Sequence, residues 1–112
     1  MIEAIDPGQF TEYIEIYDHT ITENDYNEKV RSRETDPFAT FWAKRVEFKS
    51  DEKEVASQMV GRDEIAFQMY YQSGISYTME LKYGGEYYNI VSVQPLGLNQ
   101  YMEIIAKIMD NG

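Results

Sequence analysis

The side chains able to act on a substrate or hold a metal are few in these 112 residues: one histidine, an acidic run at Asp51, Glu52 and Glu54, ten tyrosines and no cysteine. Histidine is the side chain that titrates near neutrality and is the usual general base. His19 stands alone in "YIEIYDHTIT" (13–22), where the alternation of a strand fades after Tyr17, and a lone histidine at a strand end is ordinarily solvent-exposed. The acids at 51, 52 and 54 lack both the spacing and the central glycine of a calcium loop. They fit the first turn of a helix, where carboxylates complement the helix dipole.

The absence of cysteine removes disulfide staples, thiol nucleophiles and thiolate zinc sites together. No zinc-type histidine pair, nucleophile elbow, phosphate-cradling glycine loop or dinucleotide fingerprint occurs, and Gly84-Gly85 leads into a strand rather than a helix. The expectation is a protein without catalytic residues, cofactor or metal; a small carboxylate hydrolase is the weakest reading. The ten tyrosines can be read as a stacking platform for single-stranded nucleic acid, but such platforms come with basic grooves. Here the arginines are Arg31, Arg33, Arg45 and Arg62, and twenty acids against ten Lys and Arg give a net charge of −10. Phosphate backbones are repelled at that balance, so any DNA is expected to slide past rather than bind. Tyrosine is also a favoured interface residue, amphipathic and cheap in side-chain entropy, and that reading is preferred.

Period-two runs dominate the elements that must position these residues. "FATFWAKRVEF" (38–48) reads as a strand with Trp42, Val46 and Phe48 on one face and the face of Phe41 and Ala43 partly covered. "EIAFQMYY" (64–71) aligns Ile65, Phe67, Met69 and Tyr71; "SYTMELKY" (76–83) aligns Tyr77, Met79, Leu81 and Tyr83. Gly84 and Gly85 supply the positive φ angles of a two-residue primed turn, which makes Tyr83 and Glu86 the closing pair of a hairpin into "EYYNIVSV". Pro95 to Asn99 is expected to break the pairing before "YMEIIAKIM" (101–109), with Met102, Ile104, Ala106 and Ile108 inward. Only "SDEKEVASQMVG" (50–61) carries helical signals, a cap at Ser50 or Asp51 and a stop at Gly61.

The fold class expected is therefore mainly β: one domain over residues 1–112, a small antiparallel barrel of about six strands with one short helix. A two-sheet sandwich is the runner-up. Closure is favoured because it hides the strand edges. "ENDYNEKVRSRETDP" (23–37) has only Tyr26 and Val30 as apolar material and reads as a long polar loop. Loops of that length are usually functional, or disordered until bound, so this one is expected to be mobile until a neighbour orders it. No apolar run reaches the roughly 20 residues of a membrane span, and no apolar leader follows Met1, so the expectation is a protein made in the cytoplasm with no membrane partner.

The order of "FWAKRVEF", "DEKEVAS", "YYQSGIS", "LKYGGEYYNIVSV" and "YMEIIAKI" resembles that of the head-closure, or head–tail joining, proteins of tailed bacteriophages. The likeness covers about residues 38–108, with an echo in "YIEIYDHT". It implies a barrel set in a ring beneath the portal of a DNA-filled head, closing the exit channel and docking the tail. Its implied partners are the portal or connector, a tail-side joining protein and copies of itself, and its place is the head–tail connector of a virion assembled in a bacterial host. On this likeness the loop at 23–37 becomes the assembly element, with Tyr26, Val30, Arg31 and Arg33 as its candidate contacts and Gly84 and Gly85 as scaffold. The family's arginines beside the tyrosine before "GI" and in the next strand are replaced here by Tyr70, Gln72 and Glu80, so no salt-bridge role carries over to those positions. The competing function is a monomeric barrel that uses surface tyrosines to bind a ligand or single-stranded nucleic acid.

Overall fold

The computed structural model describes residues 5–46 and 63–109. After a short 3-10 turn at Pro7–Gln9 come β1 (Glu12–Tyr17), β2 (His19–Glu23), β3 (Lys29–Arg33), β4 (Ala39–Val46), β5 (Glu64–Tyr70), β6 (Glu80–Tyr83), β7 (Glu86–Leu96) and β8 (Tyr101–Ile108). Six of these close into a barrel in the order β1-β4-β5-β8-β7-β6, with every neighbouring pair antiparallel. The expected closed barrel is the one found, and the sandwich is not. The helix expected near 51–60, the acids at 51, 52 and 54, and Arg62 lie outside the described residues.

Alternation fills the barrel. Ile14 and Ile16 of β1, Phe67 and Met69 of β5, Leu81 of β6, and Met102 and Ile104 of β8 are fully buried in one cluster. Each such side chain contributes roughly 1.5–3 kcal/mol by leaving water. The ring of Phe67 meets Tyr83 edge-on at 4.9 Å between centroids. Tyr83 in turn donates its hydroxyl to Glu12 Oε1 at 2.5 Å, which satisfies the polar tip of the ring at one end of the core.

Three local expectations are corrected, the first at Ile108 of β8, expected inward and found 38% exposed. On β4 the covered face is that of Phe41 and Ala43, as expected, and Trp42 lies on the outer wall, 60% exposed. The reason is register: Trp42 pairs with Tyr13 of β1, and their rings meet at 5.4 Å on the outer wall. The strand expected over 76–83 is regular only from Glu80, so Met79 and Leu81 enter the core but Tyr77 is left exposed. Pairing also does not break at Pro95. β7 continues to Leu96, with Pro95 opposite Met102; β6 pairs only with residues 86–89, so this end of β7 is an edge, where a proline is tolerated. The chain turns only afterwards, through Gly97, Leu98 and Asn99, all at positive φ.

The fourth correction concerns 23–37. This segment contains β3, which pairs with β2 from His19↔Arg33 to Glu23↔Lys29 and forms a two-stranded arm separate from the barrel. Asn24 builds its tip: the Asn24 side-chain oxygen accepts from the N–H groups of Tyr26 and Glu28, and Asn27 donates back to the Asn24 carbonyl at 3.0 Å. Asn27 takes φ 60°, the left-handed position that follows the turn in three-residue hairpin loops and that asparagine tolerates.

Candidate functional site

The arm leaves the barrel between β1 and β4, each of its strands five residues or about 16 Å long. Directly opposed residues share a face, so the pairs His19/Arg33, Ile21/Arg31 and Glu23/Lys29 lie on one side, and Thr20/Ser32 and Thr22/Val30 on the other. Asp18 secures the root. Its carboxylate accepts the His19 N–H at 2.8 Å, and its carbonyl accepts the Glu34 N–H at 2.9 Å. Thr20 adds a hydroxyl hydrogen bond to the Glu34 carboxylate.

The first face of the arm touches the outer wall of the barrel at its root, at Thr78, Glu80 and Tyr87, while Ile21 farther out on the same face is exposed. Glu80 alternates with the core residues Met79 and Leu81, so its side chain points outward, yet it is only 4% exposed and is the buried charged side chain among the described residues. Two arm residues bury it. Arg33 donates from Nε at 3.1 Å and from Nη2 at 2.6 Å to Glu80 Oε1, and His19 meets Glu80 Oε2 through Nε2. Arg31 Nη2 lies 3.2 Å from His19 Nδ1, which makes Nδ1 the acceptor and leaves the proton on Nε2 to be donated to Glu80. Arg31 Nη2 also donates to the Thr78 carbonyl. The Arg33 guanidinium stacks 3.5 Å over the Tyr87 ring, and Tyr87 meets Tyr17 at 5.8 Å. Burial, followed by the neighbouring Glu15 carboxylate, pushes the Tyr17 phenol above its usual range and keeps it neutral under the arm.

The structure thus divides the residues singled out in the arm. Arg31 and Arg33 come together at its root and bind the protein's own barrel. Tyr26 stands at the tip, 83% exposed, and Val30 faces away from the barrel. Gly84 and Gly85 sit at φ 61° and 83° in the turn closed by Tyr83 and Glu86. His19, expected to be exposed, is largely covered, and Glu80, where no salt-bridge role carried over from the family resemblance, pairs with Arg33. Glu80 was out of reach of sequence reasoning because its partners lie 61 and 47 positions away. The available signal was one of type alone, a carboxylate between two core residues on a strand.

A closed six-stranded antiparallel barrel carrying one β-arm clamped at its root is the class of protein these observations define. The chain belongs to the phage head completion protein family, whose model matches residues 5–109, and is a structural component of a phage particle. A solution structure of a protein from Shigella flexneri 2a is similar in fold, with a TM-score of 0.77 at 18% identity over 96% of this chain and 100% of that one. A chain in the virion of a native gene transfer agent particle is similar at a TM-score of 0.63 and 8% identity, over 91% of this chain and 96% of that one. No curated protein sequence matches this one.

Proposed function

We propose that the protein forms a ring beneath the portal, closes the DNA exit channel of the filled head and offers the docking surface for the tail. Membership of the head completion family supports this reading. The observation that carries it is the arm: among the described residues its tip and outer face bury nothing on the barrel, although Tyr26 and Val30 are apolar. A lone two-stranded hairpin is marginal in water, so the outer arm gains order when a second surface covers it. That surface is a neighbouring copy or the portal, with Tyr26 and Val30 as anchors.

Charge favours the same arrangement. Residues 19–33 hold three acids (Glu23, Asp25, Glu28) and three bases (Lys29, Arg31, Arg33), so the net charge of −10 resides outside the arm. Acidic barrels repel one another, whereas a neutral arm reaches an acidic neighbour without that cost. An acidic channel lining lets DNA pass without sticking, and the reading assigns the protein no chemistry. Cutting the arm back tests this: Ile21 to Arg31 are replaced by Asn-Gly, which joins Thr20 to Ser32 by a primed turn and keeps His19 and Arg33, the two side chains that bond Glu80, while giving up the Arg31 contacts to His19 and the Thr78 carbonyl. The shortened protein is expected to keep its thermal midpoint within a few degrees but to lose head completion when supplied to heads lacking the wild-type protein. Sealed, tail-competent heads from the shortened protein would move the joining surface onto the barrel wall.

A further inference from the structure

We propose that Glu80 is a latch that holds the arm in one of two positions, docked on the β1-β6-β7 wall or released from it as a unit. Its purpose rests on the arm being the assembly element; the latch itself rests on geometry alone. The decisive feature is where Glu80 points. A carboxylate inside a core stays buried whatever happens at the surface, and losing its partner leaves it uncompensated. Glu80 lies on the outer wall and is buried because His19 and Arg33 lie across it. When the arm lifts, Glu80, His19, Arg31 and Arg33 all return to water, so each position satisfies every charge.

The docked position gains charge-assisted hydrogen bonds and the stack on Tyr87 but gives up the hydration of the carboxylate. Opposed terms of this kind nearly cancel, and the balance is a small difference that an assembly partner can tip. Apolar burial does not decide it. Ile21 and Val30 of the arm are exposed in the docked position, and the apolar surface that release bares is confined to the rings of Tyr17 and Tyr87 beneath the root. The barrel is indifferent as well, because β1 and β6 keep their own pairing from Glu15↔Lys82 to Tyr17↔Glu80 without the arm. Among the described residues the other charged groups near the latch include Asp18 at the arm's root, Glu15 beside Tyr17, and Lys82, whose Nζ lies 5.4 Å from the Tyr87 ring centroid.

The absence of cysteine makes the test direct. Spin labels are placed through Tyr26→Cys at the arm tip and Gln94→Cys, an exposed position of β7 away from Glu80, and the distance distribution is measured by pulsed electron resonance in the isolated full chain. One narrow distance is expected with Glu80 present. Glu80→Ala is expected to give a broader distribution with a second, longer population while the barrel keeps its circular dichroism, and Arg33→Met is expected to do the same from the other side of the contact. A single narrow distance in both variants overturns the latch, as does a broad distribution in the parent or loss of the barrel fold in both. These readings need no phage particle, so failure of the latch is distinct from failure of the assembly role, which the shortened arm tests separately.

Discussion

Arg33→Ala separates a charge sealed in a fold from a charge covered by a movable arm. The substitution removes both guanidinium hydrogen bonds to Glu80 Oε1 and the stack on Tyr87. Leaving a partnerless charge in a closed core costs about 3–5 kcal/mol. Here the loss has a ceiling, because the arm can lift and water then replaces Arg33 at the carboxylate. That ceiling is the net free energy of docking. Hydrogen bonds to a charged group contribute roughly 1.5–3 kcal/mol and a cation–π contact about 0.5–2 kcal/mol, against several kcal/mol for dehydrating the carboxylate. A net loss of about 1–2 kcal/mol follows, and a fall in melting temperature of roughly 5–10 °C for a domain of this size. The assay is urea unfolding followed by far-ultraviolet dichroism, with the hydrogen exchange of β2 and β3 amides measured alongside. The variant should unfold in one transition with only the arm amides losing protection. A loss above about 3 kcal/mol with arm protection unchanged would show that the arm cannot leave Glu80, and the reasoning would fail.

Three further outcomes are expected. Leu98 is fully exposed at φ 58°, so Leu98→Asn should stabilise the protein by roughly 1 kcal/mol through relief of a left-handed leucine, checked by the urea midpoint; a destabilised variant would mean that the leucine packs on something. The phenols of Tyr83 and Tyr88 are raised above their usual range, Tyr83 first by its hydrogen bond to Glu12 and then by burial, Tyr88 by burial and then by Glu86. The folded state therefore holds these protons more tightly than the unfolded chain, so their stabilisation is whole below about pH 10 and is lost as pH rises through the folded values, and Tyr83→Phe should flatten that alkaline loss in a pH series of unfolding midpoints. The isolated protein should be a monomer or weak oligomer by light scattering and should show no binding to duplex DNA at physiological salt, since a net charge of −10 opposes both; a stable ring of pure protein, or sub-micromolar DNA affinity with a steep salt slope, would contradict this.

The barrel was legible because it is written locally. Ile65, Phe67 and Met69, and Met102, Ile104 and Ala106, alternate strictly, and Gly84-Gly85 permits one turn type, so the register from Tyr83↔Glu86 follows. The arm was not legible as strand, since "KVRSR" buries neither face and shows no period, and what sets its pairing is the asparagine chemistry at Asn24 and Asn27. At Trp42 the strand face was legible, but its partner was not: the ring meets Tyr13 of β1 on the outer wall, a cross-strand contact between distant segments. The clamp joins residues from distant parts of the chain, and no pattern within a single strand encodes it. Arg31 and Arg33 were singled out as contacts to another molecule, and the structure turns them onto the protein's own barrel.

The central claim, that the arm tip is the part of the molecule that meets a neighbour in the assembled particle, is tested most directly by photo-crosslinking at the tip. Tyr26 is replaced by a benzophenone-bearing phenylalanine and the protein is incorporated into filled heads before irradiation. The account predicts covalent products between this chain and a second copy or the portal, formed in particles and absent from the isolated protein. Normal incorporation with no product from position 26, while the same probe at the barrel residue Ile108 does crosslink, would contradict it.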